Sequence, residues 1–334
     1  MNNRKSGYEH WRGASTSIWR RRWTITQYGL RLCWRSRLLR TLFAIAWVSA
    51  LGVITLHFLI GQLLSPDSAF AMFVAQNFGR KAKALLDGMT AWILLYPEIT
   101  VDGLFRFTLL FMSLFCGTLS CIAVALFVPR LISQDLSSRA ILIYNSKALT
   151  RADYLAGKFG IALVLLAGLL LAPLACIWFV SNVFSPDWSF FWHGFPALLR
   201  TLAAAAITVV SLSVFALAVS SLVKRSGAAT ALWIVLWLVS GFVAEAASHV
   251  FPWGRYLSPM NCLREITRRL LDTPGVIAEA RDSLPFFESA FKTLPRGAAN
   301  ALTMFSGEIW IPLAFLIGFC GLSVLAVGKR VKSE

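Results

Sequence analysis

Three titratable side chains, His57, Glu245 and His249, interrupt apolar stretches of this chain and are the first candidates for chemistry. A charged group at the bilayer midplane costs on the order of 2.5–3.5 kcal/mol or more, so one retained there needs a partner or a task. Glu245 and His249 are one helical turn apart, a spacing that fits a local hydrogen bond or ion pair, or a proton-linked transport role. His57 stands alone in its run and fits a hydrogen bond to another helix. Arg106 and Arg200 mark the ends of apolar runs, where a long side chain reaches the membrane interface. The familiar enzyme signatures are missing from the sequence: no HExxH, no GxSxG, no Asp-rich metal motif and no GxxxxGK[ST] loop to cradle nucleotide phosphates. Cys33, Cys116, Cys121, Cys176, Cys262 and Cys320 form no CxxC pair, so neither a disulfide framework nor a zinc site is expected. The reading assigns the chain no catalytic residue, cofactor or metal; any ATP-driven work needs a separate subunit.

The elements that must position these groups are membrane helices. Six runs contain no Asp, Glu, Lys or Arg: Thr41–Pro66, Phe107–Pro129, Phe159–Pro186, Thr201–Val223, Ser226–Ala244 and Ile309–Gly328. About 20 apolar residues in a helix cross the hydrocarbon core, and lipid offers the backbone no hydrogen-bond partner, so such runs are helical. The fifth run is the shortest, and Ala246–Phe251 extends it. Of the 334 residues, 57% are hydrophobic and 14% charged, whereas a soluble domain carries about 25% charged residues. The fold class is therefore all-α, a polytopic membrane protein with six transmembrane helices.

Charge sets the orientation. Six spans put both termini on one side. That side holds the first 40 residues, Arg130–Lys158, Lys224–Arg225 and the C-terminal tail, with 20 basic residues against four acids. The opposite loops are close to balanced. Lys and Arg accumulate on the cytoplasmic side, so both termini are expected there. The net charge of +16 is accordingly a signal for topology and anionic lipid, not for nucleic acid. The expected organisation is a cytoplasmic N-terminus with an interfacial helix over 1–40 and a six-span domain over 41–328. Its spans lie near 41–64, 105–128, 159–181, 198–222, 228–250 and 309–328. A cytoplasmic loop covers 129–158, an extracytoplasmic or re-entrant region 251–308, and a cytoplasmic tail 329–334. The N-terminus lacks the short apolar core of a cleavable signal peptide, so the first span is expected to act as its own insertion signal.

Within this frame, residues 15–40 read as an amphipathic helix in the membrane surface. Trp19, Trp23, Leu30, Cys33 and Trp34 share one face of the wheel, opposite Arg21, Arg31 and Arg35. Ser113, Gly117, Cys121 and Ala125 recur every four residues in span two, a small-residue stripe suited to close helix packing within the chain or across a dimer. Span four is rich in Ala and Ser, which fits close packing or a polar lining. In the outer region, Ser258-Pro259 starts a helix and Asp272-Thr273-Pro274-Gly275 stops it. Met260, Leu263, Ile266 and Leu270 give that helix an apolar stripe, with Glu265 and Arg269 paired away from it. Pro285–Leu294 is a second short helix in this reading.

The most specific segment is the loop between spans two and three. Thr150 and Asp153 have capping-box spacing, so a helix is expected to start at Arg151 and run through Lys158 into span three. Upstream, the apolar stretch Ala140–Tyr144 stands beside Arg139 and Lys147, which suits docking onto a protein or onto lipid. The loop resembles the cytoplasmic loop of ABC type-2 transporter permeases, which reads close to DxRSGxLxLYLSRPLTRxDYLLGK. The matching positions are Asp135, Ser138, Leu142, Tyr144, Ser146, Leu149, Thr150, Arg151, Asp153, Tyr154, Leu155, Gly157 and Lys158. The close match spans about 25 residues; the span count, the N-terminal surface helix and the long outer region agree in outline. Two departures stand out: Arg139 replaces the usual Gly, and Lys147-Ala148 replaces Arg-Pro, which removes a rigid turn.

The resemblance implies a permease subunit, an exporter of the bacterial inner membrane, driven by separate ATP-binding cassette subunits that carry the ATP and Mg. It also implies a second permease copy or paralogue, with membrane lipids around the pair. The coupling residues it implies are Asp135, Arg139, Ile141, Ile143, Tyr144, Ser146, Leu149, Thr150, Arg151, Asp153, Tyr154 and Lys158. Asp135–Tyr144 contains the ATPase contact, and Thr150–Lys158 passes movement into span three. Two rival readings stand beside it: a membrane assembly or anchoring protein without a transport cycle, and an ion-coupled carrier or membrane enzyme that uses Glu245 and His249, or His57.

Overall fold

The computed structural model describes residues 17–64, 95–127, 131–138, 150–185, 188–272 and 308–332, with isolated positions between 72 and 91 and between 274 and 278. These residues are helical, with no strand among them. Helix α1 is Ile18–Trp34, α2 is Arg37–Leu64, α3 is Pro97–Phe127 and the short α4 is Ser133–Ser137. Helix α5 (Arg151–Leu166) continues through a π-helix, Ala167–Leu171, into α6 (Ala172–Val183). There follow α7 (Ser189–Leu222), α8 (Ser226–Ser248), a 3₁₀ turn at Gly254–Leu257, α9 (Pro259–Leu271) and α10 (Trp310–Lys332). Six helical segments among the described residues are long and apolar enough to cross a membrane: Arg37–Gln62, Ile99–Phe127, Arg151–Val183, Phe190–Leu222, Gly227–Ser248 and Trp310–Lys329. This is the architecture of a multi-pass membrane protein.

Helix α7 is the hub. It packs against α3, α5, α6, α9 and α10, and its span is the most buried of the six. Its small residues make this possible: Ala197, Ala204, Ala205, Ala216 and Ala218 are all buried and let neighbours come close. Several hydroxyls of this span bond within the helix. Thr201, Thr208 and Ser213 each donate to the carbonyl four residues back, on Ala197, Ala204 and Val209. The spans of α2, α8 and α10 are the least buried. They present Leu51, Phe242 and Leu322 outward, as lipid-facing helices do.

Helix α1 is anchored along α5. Its buried line is Thr26 and Cys33, with Arg22 and Gly29 half-buried beside them, at the i, i+4, i+7, i+11 spacing of one helical face. Trp19, Trp23 and Trp34 occupy the adjacent face and are exposed. This corrects the wheel reading: Cys33 belongs to the buried face and not with the tryptophans, because the contact with α5 selects the small residues. The approach is close enough to need glycine. A Cβ on Gly157 would lie 2.8 Å from the Cβ of Ile25, and one on Gly160 would lie 2.6 Å from Oγ1 of Thr26. Gly29 faces Ile161 in the same contact.

The stop and start signals of α9 act as their spacing predicts. Pro259 stands in its first turn, and Asp272 ends it in the left-handed conformation at φ 47°. Its surroundings differ from the expected stripe. Glu265 and Thr267 are buried together with Cys262, Leu263 and Ile266. Helix α9 is wedged among α3, α7 and α10 rather than lying with one face outward. The second short helix expected at Pro285–Leu294 lies outside the described residues.

Candidate functional site

The loop between spans two and three is fastened at both ends. Thr150 is the N-cap of α5: its hydroxyl accepts from the amide of Asp153 at 3.2 Å and donates to the Asp153 carboxylate at 2.6 Å. The amide of Thr150 donates back to the same carboxylate at 3.4 Å, which completes the expected capping box. The other carboxylate oxygen of Asp153 accepts from Nε of Arg22 at 2.7 Å, so the first turn of α5 is tied to α1. The Arg22 guanidinium in turn lies 5.4 Å from the centroid of the Trp19 ring. One turn further, the hydroxyl of Thr26 donates to the carbonyl of Gly157 at 2.9 Å.

Two turns into α5, Lys158 and Tyr154 converge on Asp135. Nζ of Lys158 lies 2.7 Å from the Asp135 carboxylate, and the Tyr154 hydroxyl donates to the same oxygen at 2.7 Å. Asp135 sits in α4, so the carboxylate joins the start of the loop to its end. Both partners are largely buried, which gives a charge-assisted contact more weight than a surface pair has.

Helix α4 is held in turn by α7. Its N-cap residue, Ile132, has no side chain able to cap the first amides. The hydroxyl of Ser220 replaces it, accepting from the amides of Ile132 at 2.8 Å and Ser133 at 3.0 Å. The Ser133 hydroxyl donates back to the Ser220 carbonyl at 2.7 Å. All of these atoms are buried. The result is a continuous bonded chain from α1 through α5 and α4 to the last turn of α7.

Of the residues singled out in the loop, the structure brings together Asp135, Thr150, Asp153, Tyr154 and Lys158, while Arg151 is exposed on the first turn of α5. Arg139, Ile141, Ile143, Tyr144, Ser146 and Leu149 lie outside the described residues. Arg22, Thr26 and Ser133 belong to the same junction and were not singled out from the sequence; Ser220, noted only as one of the serines of span four, joins it as well. Their partners lie 87 to 131 positions away, so no local spacing announces them. The pair Gly157 and Gly160 was the available signal, a small-residue repeat at the head of a span.

The intramembrane polar residues divide. Nδ1 of His57 lies 2.8 Å from the hydroxyl of Ser181, so α2 and α6 share the expected interhelical hydrogen bond. The ring also meets Phe105 edge-on at 5.3 Å. Glu245 and His249 make no bond to one another among the described residues, and both are exposed. Helix α8 ends at Ser248, and His249 is its C-cap, still in the right-handed helical conformation at φ −74° and ψ −22°. The expected local pair is not formed.

The small-residue stripe of span two works through carbonyls more than through close approach. The carbonyl of Cys121 accepts from the indole of Trp233 at 3.0 Å, and that of Ala125 accepts from the Thr230 hydroxyl at 3.1 Å, both from α8. Ser113 is buried. A methyl on Gly117 would meet nothing within 4 Å beyond its own helix, so that glycine is not a contact point.

At the opposite end of the bundle, Arg106 pairs with Asp102 at 2.5 Å and reaches Asp272 at 3.7 Å, which ties α3 to the end of α9. Arg269 bonds Glu265 at 2.7 Å and the Tyr256 hydroxyl at 2.9 Å, and it also donates to the Glu308 carbonyl. The Cys262 thiol, buried in this region, donates to the Tyr256 carbonyl at 3.1 Å, and burial pushes its pKa up to about 12. Among the described residues, no group of His, Cys, Asp and Glu is arranged to hold a metal ion.

No protein-family model and no curated protein matches the chain. The site is a set of bonds that joins helices. Among the described residues, ion pairs and caps join α1, α4, α5 and the last turn of α7.

Proposed function

We propose that the chain is the membrane-spanning permease subunit of an ATP-binding cassette transporter of the bacterial inner membrane, working as an exporter. In this reading the end of the bundle that carries α1 and α4 faces the cytoplasm. A separate ATPase docks on the loop between Asp135 and Thr150, and two permease subunits stand over two ATPase subunits. One observation carries the proposal: the segment that resembles the permease coupling loop begins and ends on a single carboxylate, Asp135, bonded to Tyr154 and Lys158 at the head of span three. A load on such a loop reaches span three through short, buried bonds, and α1 moves with it through Asp153 and Arg22. A transporter powered from outside the membrane domain needs such a two-state element, biased by a partner that binds nucleotide.

The carrier reading is less well supported. Glu245 and His249 lie on the outside of the bundle, and His57 is engaged with Ser181. If the ion-coupled carrier or membrane-enzyme reading were right, alanine at Glu245 or His249, or phenylalanine at His57, would abolish activity. The permease reading expects these variants to keep it.

The test is co-purification with an ATP-binding cassette protein encoded beside this chain, followed by ATPase assay in vesicles. The pair I141D/I143D is expected to insert normally and to lose coupled ATPase stimulation. Normal association and stimulation across a full set of loop variants would overturn the proposal, as would labelling of Arg151→Cys from outside intact cells.

A further inference from the structure

A groove of about 790 Å³ opens between α1, α2 and the α5–π segment of span three. Its rim carries Arg31, Arg35 and Arg40, all exposed. None of the three has an ion-pair partner among the described residues. Its inner wall is apolar, formed by Trp34, Phe43, Val164 and Gly168, with Gly168 close against the Phe43 ring. Trp34 and Phe43 meet edge-on at 4.9 Å, so that wall is rigid. The two halves of the groove therefore ask for opposite things. Three guanidinium groups with no carboxylate partner call for an anion, and guanidinium geometry suits phosphate oxygens. The wall below them runs down two spans, Arg37–Gln62 and Arg151–Val183, that are built for hydrocarbon.

We propose that this groove is a binding site for one anionic phospholipid, its phosphate held by Arg31, Arg35 and Arg40 and an acyl chain laid along Val164 to Gly168. The volume lies within the range of specific small-molecule sites and accommodates a headgroup with the upper part of a chain. A free phosphate would satisfy the arginines and leave the apolar wall wet. A zwitterionic lipid would fill the wall and leave three charges uncompensated. The site has a position as well as a chemistry: Gly168 belongs to the π-helix, so the lipid touches the part of span three where its hydrogen bonding changes. The inference rests on the six helices crossing a membrane and does not require an ATPase partner.

The test is titration of the delipidated, detergent-solubilised full chain with phosphatidylglycerol or phosphatidylcholine, read by native mass spectrometry. Phosphatidylglycerol is expected to stay bound and phosphatidylcholine to be lost. At about 1 kcal/mol for each basic residue near a charged surface, R31Q/R35Q/R40Q is expected to weaken phosphatidylglycerol binding on the order of a hundredfold. The charge-matched control R20Q/R225Q/R255Q is expected to bind as the parent does. V164W keeps every arginine and fills the chain half of the groove; it is expected to lose the lipid as well. The two binding variants alter different halves of the site, so a folding defect in one leaves the other decisive. Equal retention of the two lipids, parent-like binding in either binding variant, or displacement by inorganic phosphate would each overturn the proposal.

Discussion

Asp135 and Lys158 lie 2.7 Å apart, the first in α4 and the second two turns into α5, and their contact closes the loop between spans two and three on itself. Neither residue is near the other in sequence. Tyr154 completes the arrangement from the same face of α5 as Lys158, four residues earlier.

Removing one member of that pair leaves a buried charge without its counterpart. Lys158→Met or Asp135→Asn is expected to lower stability by about 3 kcal/mol. The double variant should recover part of the loss, since no lone charge remains. Thermal unfolding of all four proteins in one detergent, analysed as a double-mutant cycle, gives the coupling energy. Additive losses would mean that the ion pair contributes nothing to closing the loop.

Two glycines predict opposite outcomes. Gly157→Ala drives a methyl against Ile25 and the Arg22 carbonyl, and is expected to cost about 1–3 kcal/mol through overpacking. It should also free α1, visible as faster amide exchange over 18–34. Gly117→Ala meets open space inside a helix and is expected to stabilise by up to about 1 kcal/mol. Matching effects at the two positions would contradict the packing described for α1.

Ser220 replaces the missing cap of α4. Ser220→Ala strands two buried amides, those of Ile132 and Ser133, and each orphaned donor costs about 1–3 kcal/mol. Exchange protection over 131–138 is expected to fall while that of α7 above residue 210 stays high. Ser220→Thr keeps an acceptor and should retain most of the protection.

The buried thiol of Cys262 sets a pH dependence. Its pKa is raised from 9.0 to about 12, so the folded protein keeps a proton that the unfolded chain releases. The stability this thiol contributes is therefore complete below about pH 9 and is lost as pH rises towards about 12. Maleimide labelling of Cys262 should stay slow across neutral pH in the folded protein and become fast on unfolding. Rapid labelling of the folded protein at pH 8 would refute the burial described for α9.

What was legible in the sequence is what local chemistry determines. The spans are legible because hydrocarbon excludes charge, and the start of α5 because a Thr150–Asp153 box acts within one turn. The end of α9 is legible because Asp272-Thr273-Pro274-Gly275 cannot continue a helix. The partners of these elements were not legible. Arg22 finds Asp153, and Ser220 caps α4, across separations that only the packed bundle closes. Local spacing also misled once: Glu245 and His249 have pairing distance on a helix, but both side chains are exposed and make no bond to one another. The π-helix left one trace, Pro173, whose ring clashes with the carbonyl four residues earlier in a regular α-helix and is accommodated by a wider turn.

Span three carries a phase slip at that wider turn, where the amide of Ala172 bonds the carbonyl of Ala167. Residues before it keep company with α1, as Gly157, Gly160 and Ile161 do. Side chains after it keep company with α2, as Ser181 does with His57. The rod thus hands over from one neighbour to another partway along its length. If the chain is the permease proposed above, a twist entering at the Asp135 end would reach the far end turned towards a different helix, so rotation at one membrane face would become a sideways nudge at the other.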